Sequence, residues 1–309
     1  MDNTYAIYAE GLQKRFGNIT AVDGLDLHVH PGEIFGLVGP DGAGKTTTMR
    51  LLTGLLDADS GQAGVAGFDV LHNPEAVKKH IGYMPQRFSL YGDLTIEENI
   101  TFFANIYHVP RSERQQREQS LLEFSRLAPF RKRLAQNLSG GMKQKLALVC
   151  TLIHTPKVLF LDEPTTGVDP VSRRDFWKIL YNLLQQGVTL FVSTPYMDEA
   201  ERCNRVALMN NGKIMLCDTP TQLKERMHGD LLEVVVTPLR EARTLLASLP
   251  GVLGMQVFGD RLHVWVEDAK TAQHQIVSAL SSNNMAISGI RQATPSLEDV
   301  FMSLVGGTA

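Results

Sequence analysis

Short continuous apolar runs alternate with helical apolar stripes along this chain, which predicts an α/β fold on a mainly parallel sheet. Ile34 to Val38 reads as a buried strand closed by Gly39, and Thr46 to Leu56 as the helix that follows it. Val158 to Leu161 and Val188 to Val192 are two further buried-type strands, each after a helical stretch. Between them and the first strand, roughly Leu94 to Leu134, lies a polar helical insert rich in Glu, Gln and Arg. Acids alternate with bases over Arg111 to Glu118, the pattern of a solvated helix face rather than a basic patch.

Near Gly229 the pattern changes. Leu231 to Val236 reads as a strand and Leu239 to Leu249 as a helix. Val252 to Phe258 and Leu262 to Val266 read as a hairpin turning at Gly259-Asp260. A helix over Ala269 to Leu280, a strand over Ile287 to Arg291 and a last helix from Ser296 to Leu304, capped by Ser296, complete the chain. The order βαββαβ predicts a small ferredoxin-like α+β sandwich with a helical tail. It carries no phosphate loop, cysteine cluster or paired catalytic set, so a stabilising or regulatory appendage is expected.

Composition narrows the classes. With 309 residues, two domains are expected, 1–228 and 229–309. Within the first, the core covers 1–86 and 157–228 and a helical subdomain 87–156. A net charge of −3 and 43% hydrophobic residues describe a globular protein without a broad basic face for nucleic acid. No apolar run approaches the ~20 residues that span a bilayer. No secretory signal is expected at the start of the chain. The three cysteines, Cys150, Cys203 and Cys217, lack metal spacing and cannot build a disulfide framework, as in a reducing cytosol.

Three segments carry chemistry. Gly39-Pro40-Asp41-Gly42-Ala43-Gly44-Lys45-Thr46 matches G-x-x-x-x-G-K-[ST] between a strand and a helix. Its glycines let the backbone wrap so that successive N–H groups point at an anion, and the helix adds its positive end. Lys45 is expected to reach the β- and γ-phosphates of a nucleoside triphosphate, and Thr46 to ligate Mg²⁺ with Thr47 beside it. Val158-Leu-Phe-Leu-Asp162-Glu163 ends a buried strand in two carboxylates. Asp162 suits a Mg²⁺ role, directly or through water, and Glu163 the polarising of the attacking water. Leu138-Ser139-Gly140-Gly141-Met142-Lys-Gln144 opens an apolar helix, with Ser139 placed as its N-cap. Two phosphate-binding surfaces about a hundred residues apart, with a single Lys-bearing motif loop, fit a head-to-tail dimer in which each Ser139 segment covers the partner's nucleotide.

These three segments resemble the ATP-binding cassette ATPase of ABC transporters, over roughly residues 5–228. The resemblance implies a P-loop cassette with a mixed, mainly parallel sheet and a helical subdomain, two ATP molecules sandwiched in a dimer of cassettes, and Mg²⁺ as cofactor. It implies that Phe16 stacks on adenine with Val22 nearby. Gln86, in Tyr-Met-Pro-Gln, is implied to contact Mg²⁺ and to sense the membrane subunits, and Asp169, in Thr-Gly-Val-Asp, to cross the dimer interface. Tyr91-Gly-Asp-Leu-Thr-Ile-Glu-Glu-Asn99 and Thr294-Pro-Ser-Leu-Glu-Asp-Val-Phe301 are similar to ATPases of ABC-2-type drug-resistance exporters. Gly39-Pro-Asp-Gly and Leu138-Ser-Gly-Gly-Met particularly resemble the first cassette of YbhF-type multidrug exporters.

Two positions depart from the family. Met142 replaces the usual signature Gln, which should leave the γ-phosphate contacts of Ser139 and Gly141 intact. Pro195 stands in Ser193-Thr-Pro-Tyr-Met-Asp-Glu-Ala-Glu201 where the family has a switch histidine. Proline offers neither a side-chain donor nor an N–H. No other histidine is near in sequence, and Tyr196 is the adjacent alternative.

Three functions are therefore expected in order. The first is an ATPase driving export through separate ABC-2-type permease subunits at the cytoplasmic face of the inner membrane. The second is an ATP-binding cassette, slow at its own site and paired in a homo- or heterodimer with a second cassette, an intact one. The third is a non-transport cassette ATPase, which the absence of zinc cysteines, a long coiled coil or a second cassette disfavours.

Overall fold

The structure, a computed structural model, describes residues 4–87, 90–227 and 229–306. It divides into two compact units, 1–218 and 219–309. The expected edge lay at 228/229, and His228 itself is outside the described residues. The division comes earlier because α8 (Pro220–Glu225) packs on the last helix of the second unit.

In chain order the first unit has β1 (Ile7–Phe16), β2 (Ile19–Val29), β3 (Ile34–Val38), α1 (Lys45–Leu52), β4 (Ser60–Val65), β5 (Phe68–Asp69), α2 (Pro74–His80) and β6 (Ile81–Met84). Then come α3 (Ile96–Ile106), α4 (Arg111–Phe124), α5 (Gly140–Leu152), β7 (Val158–Asp162), α6 (Pro170–Gln185), β8 (Thr189–Thr194), α7 (Met197–Ala200), β9 (Arg205–Asn210) and β10 (Lys213–Asp218). The central sheet runs β10-β9-β3-β8-β7-β6, parallel from β9 to β6, with β10 antiparallel at one edge. Every residue of β3, β7 and β8 is buried, so their apolar residues come in unbroken runs, Ile34 to Val38, Val158 to Leu161 and Leu190 to Val192, rather than alternating. A second, antiparallel sheet has the order β2-β1-β4-β5. α1 stops four residues short of the expected Leu56, because Thr53 closes it and Gly54 turns the chain at φ 65°.

The helical insert has its own core. α3 begins in a reciprocal cap: Glu98 N–H donates to Thr95 Oγ1 at 3.2 Å and Thr95 N–H donates to Glu98 Oε2 at 2.7 Å. Its apolar stripe, Ile96, Ile100 and Ala104, packs with Leu146, Val149 and Cys150 of α5. Arg111 to Glu118 is a solvated face, Arg117 pairing with Glu113 and Arg131 with Glu118. The expected span 87–156 includes Phe88 and Ser89, which lie outside the described residues.

The second unit runs α8, β11 (Asp230–Thr237), α9 (Leu239–Leu246), β12 (Val252–Phe258), β13 (Arg261–Val266), α10 (Ala269–Ser282), β14 (Ala286–Ala293) and α11 (Leu297–Gly306). The antiparallel order β12-β13-β11-β14 is the ferredoxin-like one, with the hairpin at Gly259-Asp260. Leu232, Val234 and Val236 sit on one face of β11 by the two-residue period and pack with Ala242, Leu246, Ile276 and Leu280 of the two helices. Ser296 caps α11, accepting from Asp299 N–H at 3.2 Å.

Candidate functional site

The strand order dictates where chemistry can gather. β3 leads into the glycine loop, β7 ends in Asp162 and Glu163, and β8 lies between them. All three point their C-terminal ends the same way, where open α/β sheets bind ligands. A cleft of about 580 Å³ opens there, its wall including Gly42, Lys45, Thr46, Gln86, Glu163 and Pro195.

Sterics require the glycines of the loop. A Cβ on Gly39 would lie 2.1 Å from the Met209 carbonyl oxygen, and one on Gly44, at φ 107°, would lie 2.3 Å from that of Ala21. Gly42 takes φ 79°. Between them Pro40 accepts from the buried Ala43 N–H at 3.2 Å. α1 starts at Lys45 with no side-chain cap and no acid in its first turn, leaving the first helical N–H groups for an anion in the cleft.

The charged groups form one connected set. Lys45 is only 4% exposed, and its Nζ donates to the carbonyls of Gly39 at 2.9 Å and Pro40 at 3.0 Å. It also pairs with Glu163 Oε1 at 3.3 Å. Glu163 Oε2 accepts from Gln86 Nε2 at 2.8 Å and from Thr166 Oγ1 at 3.4 Å. Glu163 itself sits at φ 48°, left-handed for a residue with a side chain, and its N–H is tied to Ser193 O at 3.1 Å and Ser193 Oγ at 3.0 Å. Strain of this kind persists where the surroundings over-determine it, typically at functional sites.

Asp162 Oδ1 accepts from Thr46 Oγ1 at 3.2 Å and Ser193 Oγ at 2.6 Å, whereas its Oδ2 is buried without a hydrogen-bond partner. Burial, followed by the Asp162 charge, pushes the nearby Tyr83 phenol above its ordinary range. An orphaned carboxylate oxygen beside a threonine hydroxyl is a vacant lone pair in an all-oxygen setting, which suits a hard divalent cation. No cluster of three His, Cys, Asp or Glu side chains able to cage a metal occurs among the described residues. A cation at Thr46, Asp162 and Gln86 would thus draw further ligands from water and phosphate.

The other expected residues fall into two groups. Phe16 is half exposed, with Lys14 Nζ 5.8 Å from its ring centroid. Val22, expected near the base, is fully buried in the core. The cleft is reached instead by Ile19, Thr20 and Ala21. Ile19 is 70% exposed and is the strand partner of Phe16, so the hairpin end presents two apolar side chains. An exposed Phe-x-x-Ile at a strand turn was the signal available for Ile19.

Ser139, Gly140, Gly141 and Asp169 are not part of the cleft wall. Ser139 caps α5, accepting from Met142 N–H at 3.3 Å, and is exposed. Gly140 faces open space, but a Cβ on Gly141 would lie 2.5 Å from Ser172 Oγ. Gly141 is buried, and its smallness serves the packing of α5 on α6. Asp169 caps α6, accepting from Val171 N–H at 3.1 Å and Ser172 N–H at 2.9 Å. Hydrogen bonds from Ser172 hold its carboxyl below the usual range. Ser172 therefore links Asp169 to the Ser139 segment, and the two form one exposed surface apart from the cleft.

Two protein-family models match the chain. One, ABC transporter, covers residues 22–166, and the other, the C-terminal domain of DrrA1-3-like ATP-binding proteins, covers residues 219–305. The probable multidrug ABC transporter ATP-binding protein YbhF of Escherichia coli K12 is 44% identical, over 99% of this chain and 53% of that protein. The chain thus spans about half the length of that relative. The daunorubicin resistance ATP-binding protein DrrA2 of Streptomyces coeruleorubidus is 37% identical, over 98% of this chain and 95% of that protein. A solved structure of the ATP binding subunit of an ABC transporter has a TM-score of 0.65 at 26% identity, covering 72% of this chain and 92% of that one.

Proposed function

The chain belongs to the family of ABC transporter ATP-binding proteins, and on that premise we propose that it binds and hydrolyses ATP to drive export through separate membrane subunits. The observation that carries this reading is the juxtaposition of Lys45, Glu163 and Gln86 in one cleft, with the orphaned Asp162 oxygen behind them. In the proposed bound state Lys45 leaves the Gly39 and Pro40 carbonyls for the β- and γ-phosphates. Mg²⁺ held by Thr46, Asp162 and Gln86 would offset charge on the phosphate oxygens. Phe16 and Ile19 offer the base an apolar platform.

Hydrolysis then needs a water beside Glu163. The water oxygen bonds to the γ-phosphorus while the bond from that phosphorus to the β,γ-bridging oxygen breaks. ADP leaves with the electron pair, and Glu163 takes the water's proton. Freed of Lys45, the Glu163 carboxylate is still oriented by Gln86 and Thr166.

Coupling is read from what the cleft lacks. Ser139, Gly140 and Asp169 form an exposed surface away from their own cleft, which supports a partner cassette, of the same or another chain, as the one they cover. No helix among the described residues is long and apolar enough to cross a membrane, and the likeness to drug-resistance ATP-binding proteins supports transport through ABC-2-type permeases at the cytoplasmic face of the inner membrane. The names of the two relatives support drug-like cargo. Gln86 joins Glu163 to the segment that enters the helical insert, a direct route from the phosphate to a docked permease.

Glu163→Gln in the transporter assembled with its permease should retain ATP binding and lower turnover by about 10²–10⁴, the scale of a positioned general base. Unchanged turnover would remove Glu163 from the chemistry. A second reading is supported by Pro195 in the cleft wall. In that reading this cassette binds ATP but leaves turnover to an intact partner cassette, and the chain assayed by itself would then bind ATP with negligible hydrolysis.

A further inference from the structure

Beside Pro195 stands a residue fixed more firmly than its place on a cleft wall requires. Tyr196 lines the same cleft as Lys45, Thr46 and Glu163. Its N–H donates to Thr194 Oγ1 at 3.1 Å. Its ring is covered by the Arg173 guanidinium, 4.5 Å from the ring centroid.

Both props end on one carboxylate. Glu199 is fully buried and accepts from Thr194 Oγ1 at 2.8 Å and from the Thr165 hydroxyl. Arg173 Nε pairs with Glu199 Oε1 at 3.6 Å, beyond hydrogen-bond distance, and Asp198 adds a second carboxylate 3.8 Å from Arg173 Nη1. A carboxylate withdrawn so fully from water persists only with such partners. Thr165 lies two residues after Glu163, and Thr194 directly before Pro195. Glu199 therefore joins the loop that carries the proposed base to the strand end that carries Tyr196.

We infer that Tyr196 is a catalytic residue that donates its phenolic hydroxyl to the γ-phosphoryl oxygens, one residue after Pro195, which holds the place of the family's histidine. Arg173 and Glu199 are its positioning residues. The inference rests on the cleft being the ATP site. The phenol loses no proton: it donates to oxygens that gain charge as the bridging P–O bond breaks, while the water's proton goes to Glu163. A donor held by its backbone and by a stacked guanidinium needs no reorganisation at that moment, which is what makes such donors effective. Pro195 does not compete, since it has nothing to donate.

The test is steady-state ATPase activity and equilibrium ATP binding of the full chain assembled with its permease. Tyr196→Phe should lower kcat tenfold or more, by analogy with loss of an oxyanion donor, with KM, ATP affinity and melting temperature unchanged. Adding Pro195→His to Tyr196→Phe should restore turnover. Arg173→Lys keeps the charge but loses the planar stack, so kcat should fall part of the way with ATP affinity unchanged. Wild-type kcat in Tyr196→Phe overturns the inference. Parallel loss of binding and turnover also overturns it, because that would make Tyr196 a packing residue of the wall. Lys45→Ala separates the two levels. If it abolishes ATP binding while Tyr196→Phe is fully active, this inference alone falls; if it binds ATP normally, the ATP reading of the cleft falls and this inference with it.

Discussion

Two helices of the first unit start on glycines and look alike in sequence, yet the fold treats them differently. Before α1, glycines at 39, 42 and 44 are demanded by contacts and by positive φ, and Lys45 and Glu163 meet in the same cleft with Asp162 buried behind them. At the start of α5, Ser139 and Gly140 face outward, and Gly141 is small for the sake of α6. The first start has uncapped helical N–H groups with a cation, Lys45, and a carboxylate, Glu163, of its own chain beside them. The second is a capped helix end with an open side, linked through Ser172 to the exposed Asp169 and set outside the cleft wall. A glycine-rich helix start is thus a site only when neighbouring strands bring the remaining chemistry to it. Where they do not, the missing groups must come from another molecule.

The largest effects should separate the two starts by affinity. Lys45→Ala removes a charge-assisted contact to phosphate and should weaken ATP binding about a hundredfold in the chain by itself. Ser139→Ala should leave that affinity unchanged, measured by equilibrium titration, and lower turnover only in the assembled transporter. Weaker binding by the unassembled Ser139→Ala chain would assign the second start to its own cleft.

Smaller effects should separate the paired glycines by stability. Gly141→Ala places a methyl against Ser172 and should cost about 1–3 kcal/mol, the range for overpacking. Gly140→Ala meets open space in a helix and should be neutral or stabilising by up to about 1 kcal/mol. Opposite signs in thermal or urea unfolding would confirm that the two neighbours serve different surfaces.

The smallest expected effect concerns how α5 is moored to the sheet. His154 Nε2 donates to the Ile81 carbonyl of β6 at 2.8 Å, which leaves Nδ1 as an unprotonated, buried atom without a partner. The ring stacks on Tyr107 at 3.9 Å. Burial, first among the causes, lowers its pKa from the ordinary 6.5. The folded chain therefore binds fewer protons than the unfolded one as the pH falls below about 6.5. This contribution is present above that pH and declines below it. Melting temperature should drop between pH 7.5 and 5.5, and the drop should shrink in His154→Gln, which can still donate to Ile81 but does not titrate.

Local pattern was enough for much of this protein. The phosphate loop, β3, β7 and the βαββαβ order are legible because each depends on residues adjacent in the chain: a glycine spacing, an unbroken apolar run, a two-residue period. Asp162 and Glu163 were legible for the same reason, as the end of a buried strand. What the sequence could not supply was any relation between distant segments. That Val22 turns into the core while Ile19 meets the cleft depends on irregular register between β1 and β2. That Gly141 is a packing glycine depends on Ser172, thirty-one positions later. That Glu199, just after β8, reaches Thr165 depends on β8 lying beside β7. Periodicity encodes which face of an element is apolar, because neighbouring side chains share one backbone geometry. Only tertiary packing decides which faces meet, because that is set by the sum of contacts over the whole core.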